Sequence, residues 1–107
     1  MQQSQREAAL AVHAVLDGAA LPAALEAHVG RDAGPARAFV QELAYGTLRH
    51  HGTLDAVVRA MIDRPIPDRR IAALGEVALY QLEHTRQPPV AVVDRAVAAA
   101  AALARPG

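Results

Sequence analysis

Apolar residues recur along this chain at the three- and four-residue spacing of amphipathic α-helices. The clearest stretch carries Leu54, Val57, Val58, Met61 and Ile62, with charged residues and alanines between them. This spacing predicts a helix with one buried face. Similar stripes elsewhere predict five more helices with short connections, so we expect a compact all-α bundle.

Glycines, prolines and small polar residues indicate where these helices begin and end. Ser4 and Glu7 form a capping box for the first helix. Thr53 is a suitable N-cap for the fourth helix and Asp68 for the fifth. The expected stops and first-turn residues are Gly18, Pro22, Gly30, Pro35, Pro65, Pro67, Pro88 and Pro89.

The stripes also predict which residues face the core. On the first helix these are Ala8, Val12, Val15 and Leu16. On the third they are Phe39, Val40, Leu43, Ala44, Gly46 and Thr47. On the fifth they are Ile71, Leu74, Ala78, Leu79 and Leu82. On the sixth they are Val93, Ala96, Val97 and Ala100.

Composition supports a single helical domain over residues 1–107. Apolar residues make up 52% of the chain, and 26 residues are alanine, the best helix former. Cysteine is absent, which excludes disulfides and cysteine-ligated zinc. No apolar run approaches the roughly 18 residues of a membrane span, and the polar first residues lack a signal-peptide core. We therefore expect a soluble cytoplasmic protein without membrane contact.

The formal net charge is zero, because the chain has eleven arginines, eleven acidic residues and no lysine. Nucleic-acid-binding domains usually carry a basic excess, so any RNA contact must come from a local arginine patch. The exclusive use of arginine fits a GC-rich genome as well as a phosphate-binding role.

The sequence contains no set of residues that indicates a catalytic site. His50 and His51 are adjacent, so on a helix their side chains diverge by about 100 degrees and no metal site is expected. Serine occurs once, as Ser4, and no nucleophile has a base beside it. We expect no enzyme activity from this chain alone.

Two phrases carry a resemblance to a known family. They are Glu42-Leu43-Ala44-Tyr45-Gly46-Thr47-Leu48-Arg49, followed by Thr53-Leu54-Asp55, and Leu79-Tyr80-Gln81-Leu82, followed by Thr85-Arg86-Gln87-Pro88-Pro89-Val90-Ala91. In order and spacing they resemble the NusB-like domain at the N-terminus of the RsmB (Sun/Fmu) rRNA cytosine methyltransferases. Arg64-Pro65 and the paired prolines favour this version over stand-alone NusB.

The resemblance implies a function, which is an accessory RNA-binding and substrate-positioning domain that is not catalytic by itself. The family's catalytic cysteines and S-adenosylmethionine site lie in a C-terminal methyltransferase domain, so the expected partners are ribosomal RNA and that domain. Relatives continue into a seventh helix that is missing here, which implies a fragment. An apolar groove left exposed by this loss could be filled by a second copy.

The resemblance also implies site residues. Arg6 maps onto the RNA-binding face of NusB, with Arg69 and Arg70 near it, although solvated surface charge explains them equally well. The alternative function is a protein-interaction module or a NusB-type antitermination factor, which binds a ribosomal protein or forms a homodimer. Neutral net charge fits this alternative better.

The remaining motif residues are expected to be structural. They are Tyr45, Gly46, Leu48, Arg49, Tyr80, Gln81, Pro88 and Pro89. Gly46 is expected to admit a close helix neighbour, rather than to bind a ligand through its backbone. Tyr80 and Gln81 are placed near the rim of the bundle, where Tyr80 anchors the bundle or, less favoured, stacks on an RNA base. Arg49 and Arg86 are expected to pair with carboxylates such as Asp55 or Asp94.

Overall fold

The computed structural model describes residues 2–29 and 34–105, and within these ranges it contains six α-helices and no strand. The helices are α1 (Gln2–Leu16), α2 (Leu21–His28), α3 (Pro35–Arg49), α4 (His51–Met61), α5 (Arg69–His84) and α6 (Pro89–Ala104). The all-α prediction is therefore confirmed.

Helices α1 and α5 form the centre of the bundle. Helix α1 packs against α2, α3, α5 and α6, and α5 packs against α1, α3, α4 and α6. Ala8, Ala9, Ala11 and Val12 are fully buried along α1. Because alanine has a short side chain, the backbones of the neighbouring helices can approach α1 closely, and this places α1 inside the bundle.

Two predicted helix boundaries follow from local backbone chemistry. Gly18 adopts a positive φ of 112° just after α1, and the amide of Ala19 donates to the carbonyl of Ala14 at 3.0 Å. This left-handed turn satisfies end carbonyls and favours glycine. Asp68 precedes α5, and its Oδ1 accepts a hydrogen bond from the Arg70 amide at 2.9 Å, so its predicted capping role is confirmed. The stop predicted at Gly30 lies outside the described residues.

Two other predicted caps were wrong. Helix α1 begins at Gln2, so Ser4 lies inside the helix rather than at its N-cap. Helices α3 and α4 share one boundary residue, His50. The His50 amide donates to the Gly46 carbonyl at 3.2 Å, and the His50 carbonyl accepts from Leu54 at 2.9 Å. Helix α4 therefore begins directly after α3, and Thr53 lies inside α4 rather than at its N-cap.

The predicted inward faces of α5 and α6 need correction. On α5, Leu82 is 38% exposed, whereas Gln81 is fully buried. On α6, Val93 and Val97 are 50% and 65% exposed, and the buried residues are Val92, Ala99 and Leu103. Helix α6 is apolar on most sides, so periodicity alone could not orient it. Leu16 and Met61 are likewise exposed rather than buried.

Buried amides explain how α5 and α6 are oriented. Gln5 Nε2 donates to Gln81 Oε1 at 2.7 Å and to the Val92 carbonyl at 3.2 Å. Gln81 Nε2 in turn donates to Gln87 Oε1 at 2.7 Å. Because a buried amide that makes no hydrogen bond is costly, the bonds from Gln5 Nε2 draw Gln81 and Val92 inward, and only Gln5 Oε1 of this network is left without a partner among the described residues. The earlier placement of Gln81 at the rim was wrong for this reason.

Gly46 provides space for an aromatic ring. A Cβ at Gly46 would overlap the ring of Tyr80 on α5. That ring also lies 5.0 Å from the His84 ring and 6.1 Å from the His50 ring, measured between centroids. Tyr80 is therefore packed between α3 and α5 as an anchor of the bundle.

We predict that Gly46→Ala lowers the free energy of unfolding by about 1–3 kcal/mol, because the confined Tyr80 ring must shift. Urea denaturation followed by circular dichroism measures the change. Gly52→Ala is the matched control, since nothing lies near a Cβ at Gly52. In a Tyr80→Ala background the cost of Gly46→Ala should shrink. An unchanged midpoint for Gly46→Ala alone would contradict this packing.

We predict that Gln81→Leu lowers the free energy of unfolding by about 1–3 kcal/mol, because the buried amide of Gln5 loses one of its two acceptors and keeps only the Val92 carbonyl. The double variant Gln5→Leu/Gln81→Leu should recover part of this loss, since both polar groups are then removed. Gln41→Leu on the exposed side of α3 is the control. Equal stability of Gln81→Leu and Gln41→Leu would show that the network contributes nothing.

Candidate nucleic-acid interface

The structure separates Arg6 from Arg69. Gln5 contacts Gln81 in the last turns of α5, whereas Arg69, the first residue of α5, lines a cleft with Leu16 at the end of α1. Helices α1 and α5 are thus antiparallel. Leu16 follows Arg6 by ten residues, which corresponds to about 15 Å along a helix. Arg6, which is half-buried, and Arg69 therefore lie at opposite ends of the α1–α5 pair.

Arg70 is held by the protein itself. Its Nη2 lies 2.7 Å from Asp68 Oδ2, and its Nε donates to Asp68 Oδ1 at 3.1 Å. The same Nη2 donates to the Leu103 carbonyl at 3.1 Å. The side-chain hydrogen bond from Arg70 lowers the pKa of Asp68 to about 2. Arg70 therefore joins the start of α5 to the end of α6, and less of its hydrogen-bonding capacity is available to a ligand.

Arg69 is exposed and borders two clefts. The larger, about 300 Å³ in volume, lies between α4, the α4–α5 connection and the start of α5. We call it the α4–α5 cleft. Arg59 and Arg64 also line it, as do Asp55 and Asp63. The smaller cleft, about 160 Å³, lies toward α1 and includes His13, Asp17 and Glu76.

Sequence reasoning did not place Arg59 and Arg64 in the site. Arg59 lies in the last turns of α4, and Arg64 lies in the connection that follows. Asp55 Oδ2 pairs with Arg59 Nε at 3.0 Å, and not with Arg49 as expected. Within the described residues no ion pair joins Arg86 to Asp94. The high density of arginines over residues 59–70 was the available signal.

A buried carboxylate lies behind Arg69. Glu76 has only 5% of its side chain exposed, and its Oε1 lies 2.7 Å from His51 Nδ1. Burial raises the pKa of Glu76, and the hydrogen bond from His51 opposes this shift. The pair fixes the start of α4 against α5, and Glu76 also lines the smaller cleft.

The remaining motif residues have structural or peripheral positions. Tyr45 is exposed on α3, and Leu48 is packed against the core. Arg49 is exposed at the end of α3. Pro88 is the N-cap of α6 and Pro89 its first residue.

Within the described part of the chain, no group of three or more histidines and carboxylates could hold a metal ion. The helices of that part are also too short or too polar to cross a membrane.

The fold and these surfaces define a small all-α bundle domain with an arginine-lined cleft. The chain belongs to the NusB family, whose sequence profile matches residues 2–107. The resemblance drawn from the two phrases is thereby confirmed.

Relatives among curated proteins are named ribosomal RNA small subunit methyltransferase B. The protein of Pectobacterium carotovorum strain PC1 is 37% identical over 102 residues, which cover 92% of this chain and 24% of the relative. The protein of Pseudomonas putida KT2440 is 38% identical over 106 residues, covering 92% of this chain and 23% of the relative. The chain thus spans about a quarter of the length of these relatives. No solved structure matches it significantly.

We predict that stability falls as pH rises above the ordinary pKa of Glu76, near 4.5. The folded state binds this proton more tightly than the unfolded state, since the folded pKa is raised. The contribution of Glu76 to the free energy of unfolding is therefore complete below its ordinary pKa. It is lost as the pH rises through the raised pKa of the folded state. Thermal unfolding of the wild type and of Glu76→Gln between pH 4 and 8 measures it. A Glu76→Gln profile parallel to the wild type would refute this linkage.

Proposed function

We propose that this chain is an accessory RNA-binding and substrate-positioning domain of an S-adenosylmethionine-dependent rRNA (cytosine-5) methyltransferase. The observation that carries the proposal is the pattern of similarity. Nearly the whole chain is similar to rRNA methyltransferases, yet it matches only about a quarter of their length. A domain of this size leaves most of such an enzyme to supply the chemistry.

The residues of this chain do not fit S-adenosylmethionine or the methyl transfer. Cysteine is absent, so no thiolate nucleophile is available. The seven glycines are scattered and form no glycine-rich loop of the kind that binds nucleotides. We assign both the cofactor and the catalytic residues to a C-terminal methyltransferase domain, which is the proposed covalent partner of this domain.

The proposed role of this domain is to hold ribosomal RNA by its phosphates. Arginine contacts to phosphate oxygens fix the position of an RNA without reading its sequence. Arg69 is exposed for such contacts, and Arg6 offers a second one at the far end of α1. Arg70 adds little to the local positive potential, because its charge is paired with the ionised Asp68 carboxylate. An RNA that touches both ends of α1 would extend along the bundle.

We predict that the chain binds a fluorescein-labelled small-subunit rRNA hairpin in a salt-dependent manner. About two phosphate contacts should give a roughly 7- to 12-fold loss of affinity between 50 and 200 mM salt. Fluorescence anisotropy measures it. Arg6→Ala/Arg69→Ala should weaken binding, whereas Arg49→Ala/Arg86→Ala, which removes the same charge, should weaken it less. A folded protein that binds no RNA at 50 mM salt would refute the proposal.

A protein-interaction role is the second candidate, and the outer face of α6 favours it. Val90, Val93 and Val97 are 82%, 50% and 65% exposed on one side of this helix. With Pro89 and Asp94 they line an open apolar groove. Such a face could bind the methyltransferase domain, a ribosomal protein or a second copy of this chain. Binding there would respond little to salt, so the same titration, together with the molar mass in solution, separates the two functions.

A further inference from the structure

The α4–α5 cleft brings together three guanidinium groups from three consecutive segments. Arg59 comes from the last turns of α4, Arg64 from the connection and Arg69 from the start of α5. We infer that this cleft binds one unpaired nucleotide of a single-stranded RNA, with the arginines contacting its flanking phosphates. This inference rests on the proposed RNA-binding function and names the site and the kind of RNA.

The charges of the cleft favour an anionic ligand. Within residues 2–29 and 34–105, neither Arg64 nor Arg69 forms an ion pair. Arg59 is paired with Asp55, but its side chain is 71% exposed, and exposed ion pairs of this kind are weak. Arg59 can therefore exchange this carboxylate for a phosphate. The residues that line the cleft include three arginines and two aspartates, Asp55 and Asp63, so their net charge is positive.

The floor of the cleft suits a base rather than a second charged group. Val58, Ile62 and Ile66 are half-buried there. Bases in a duplex are stacked and paired, so only an unpaired base can lie against such a surface, as in other single-strand readers. The cleft volume of about 300 Å³ limits the occupant to a small group. Apolar contact with a base, combined with phosphate contacts at the rim, selects single strands with little sequence preference.

The geometry of the cleft is restrained before a ligand arrives. Pro65 and Pro67 flank Ile66, and each proline fixes its own φ. The Asp68 cap and its bonds to Arg70 then fix the start of α5. The backbone that carries Arg64 and Arg69, at the two ends of this segment, is therefore restrained, so little backbone conformational entropy is lost on binding.

Anisotropy titrations with fluorescein-labelled oligouridylate of about ten nucleotides, a length typical of such sites, test the inference. Arg64→Ala and Arg69→Ala should each weaken binding about tenfold, as expected for a charged hydrogen bond. Each should also reduce the slope of log affinity against log salt by about 0.7. Ile66→Ser should weaken binding without changing this slope. Arg86→Ala is the matched control, because it removes another exposed charge just beyond the other end of α5.

Three outcomes would overturn the inference. If the cleft variants bind RNA as tightly as Arg86→Ala, the cleft is not the binding site. The proposed function would still stand in that case, provided that the wild type binds RNA. Equal affinity for oligouridylate and for a duplex of the same charge would remove the preference for unpaired nucleotides. Displacement of the RNA by polyglutamate at equal charge would point to an acidic protein partner. Absence of all RNA binding by the folded wild type would refute the proposed function as well.

Discussion

The hydrogen bond between the buried amides of Gln5 and Gln81 fixes the arrangement on which the rest of the structure depends. It joins the two central helices, and the bond from Gln5 to the Val92 carbonyl adds α6 to the same point. Apolar packing between alanine-rich helices is compatible with several rotations and shifts. A buried amide is satisfied in only a few of them. The network therefore selects the antiparallel pairing that places Arg69 beside the end of α1 and Arg6 far from it.

This constraint explains which parts of the fold could be predicted from the sequence. Some local features, such as the Gly18 turn and the Asp68 cap, were predicted correctly because they depend on a few neighbouring residues. The caps predicted at Ser4 and Thr53 were wrong, because both helices begin earlier in the chain. The inward faces of α5 and α6 depend on polar contacts with α1, which are distant in sequence. Leucine and valine periodicity therefore pointed to Leu82 and Val97, whereas the amide network turned Gln81 and Val92 inward. The shared boundary at His50 likewise has no simple sequence signal.

The same distinction applies to the candidate site. Arg69 was identified because the family resemblance places the RNA-binding face near the start of α5, which the Asp68 cap locates in this chain. Arg59 and Arg64 were not, since the α4–α5 cleft exists only when α4 packs against α5. The His51–Glu76 contact contributes to that packing, and no local pattern predicts that a carboxylate is buried there. For Arg70 the sequence was misleading in the other direction. It is adjacent to Arg69 and was predicted as a site residue, but its side chain is bonded to Asp68 and to the Leu103 carbonyl.

A chain without net charge can still position RNA if its task is limited to positioning. Few phosphate contacts give weak, salt-sensitive binding, which would be inadequate for an independent RNA-binding protein. Linked covalently to a catalytic domain, the same weak contact acts at a high effective concentration, and overall affinity rises without any new contact. Weak contacts also dissociate readily, so the RNA can be released after reaction. Local arginines on a neutral domain are therefore sufficient for the proposed role, and a strongly basic surface is not required.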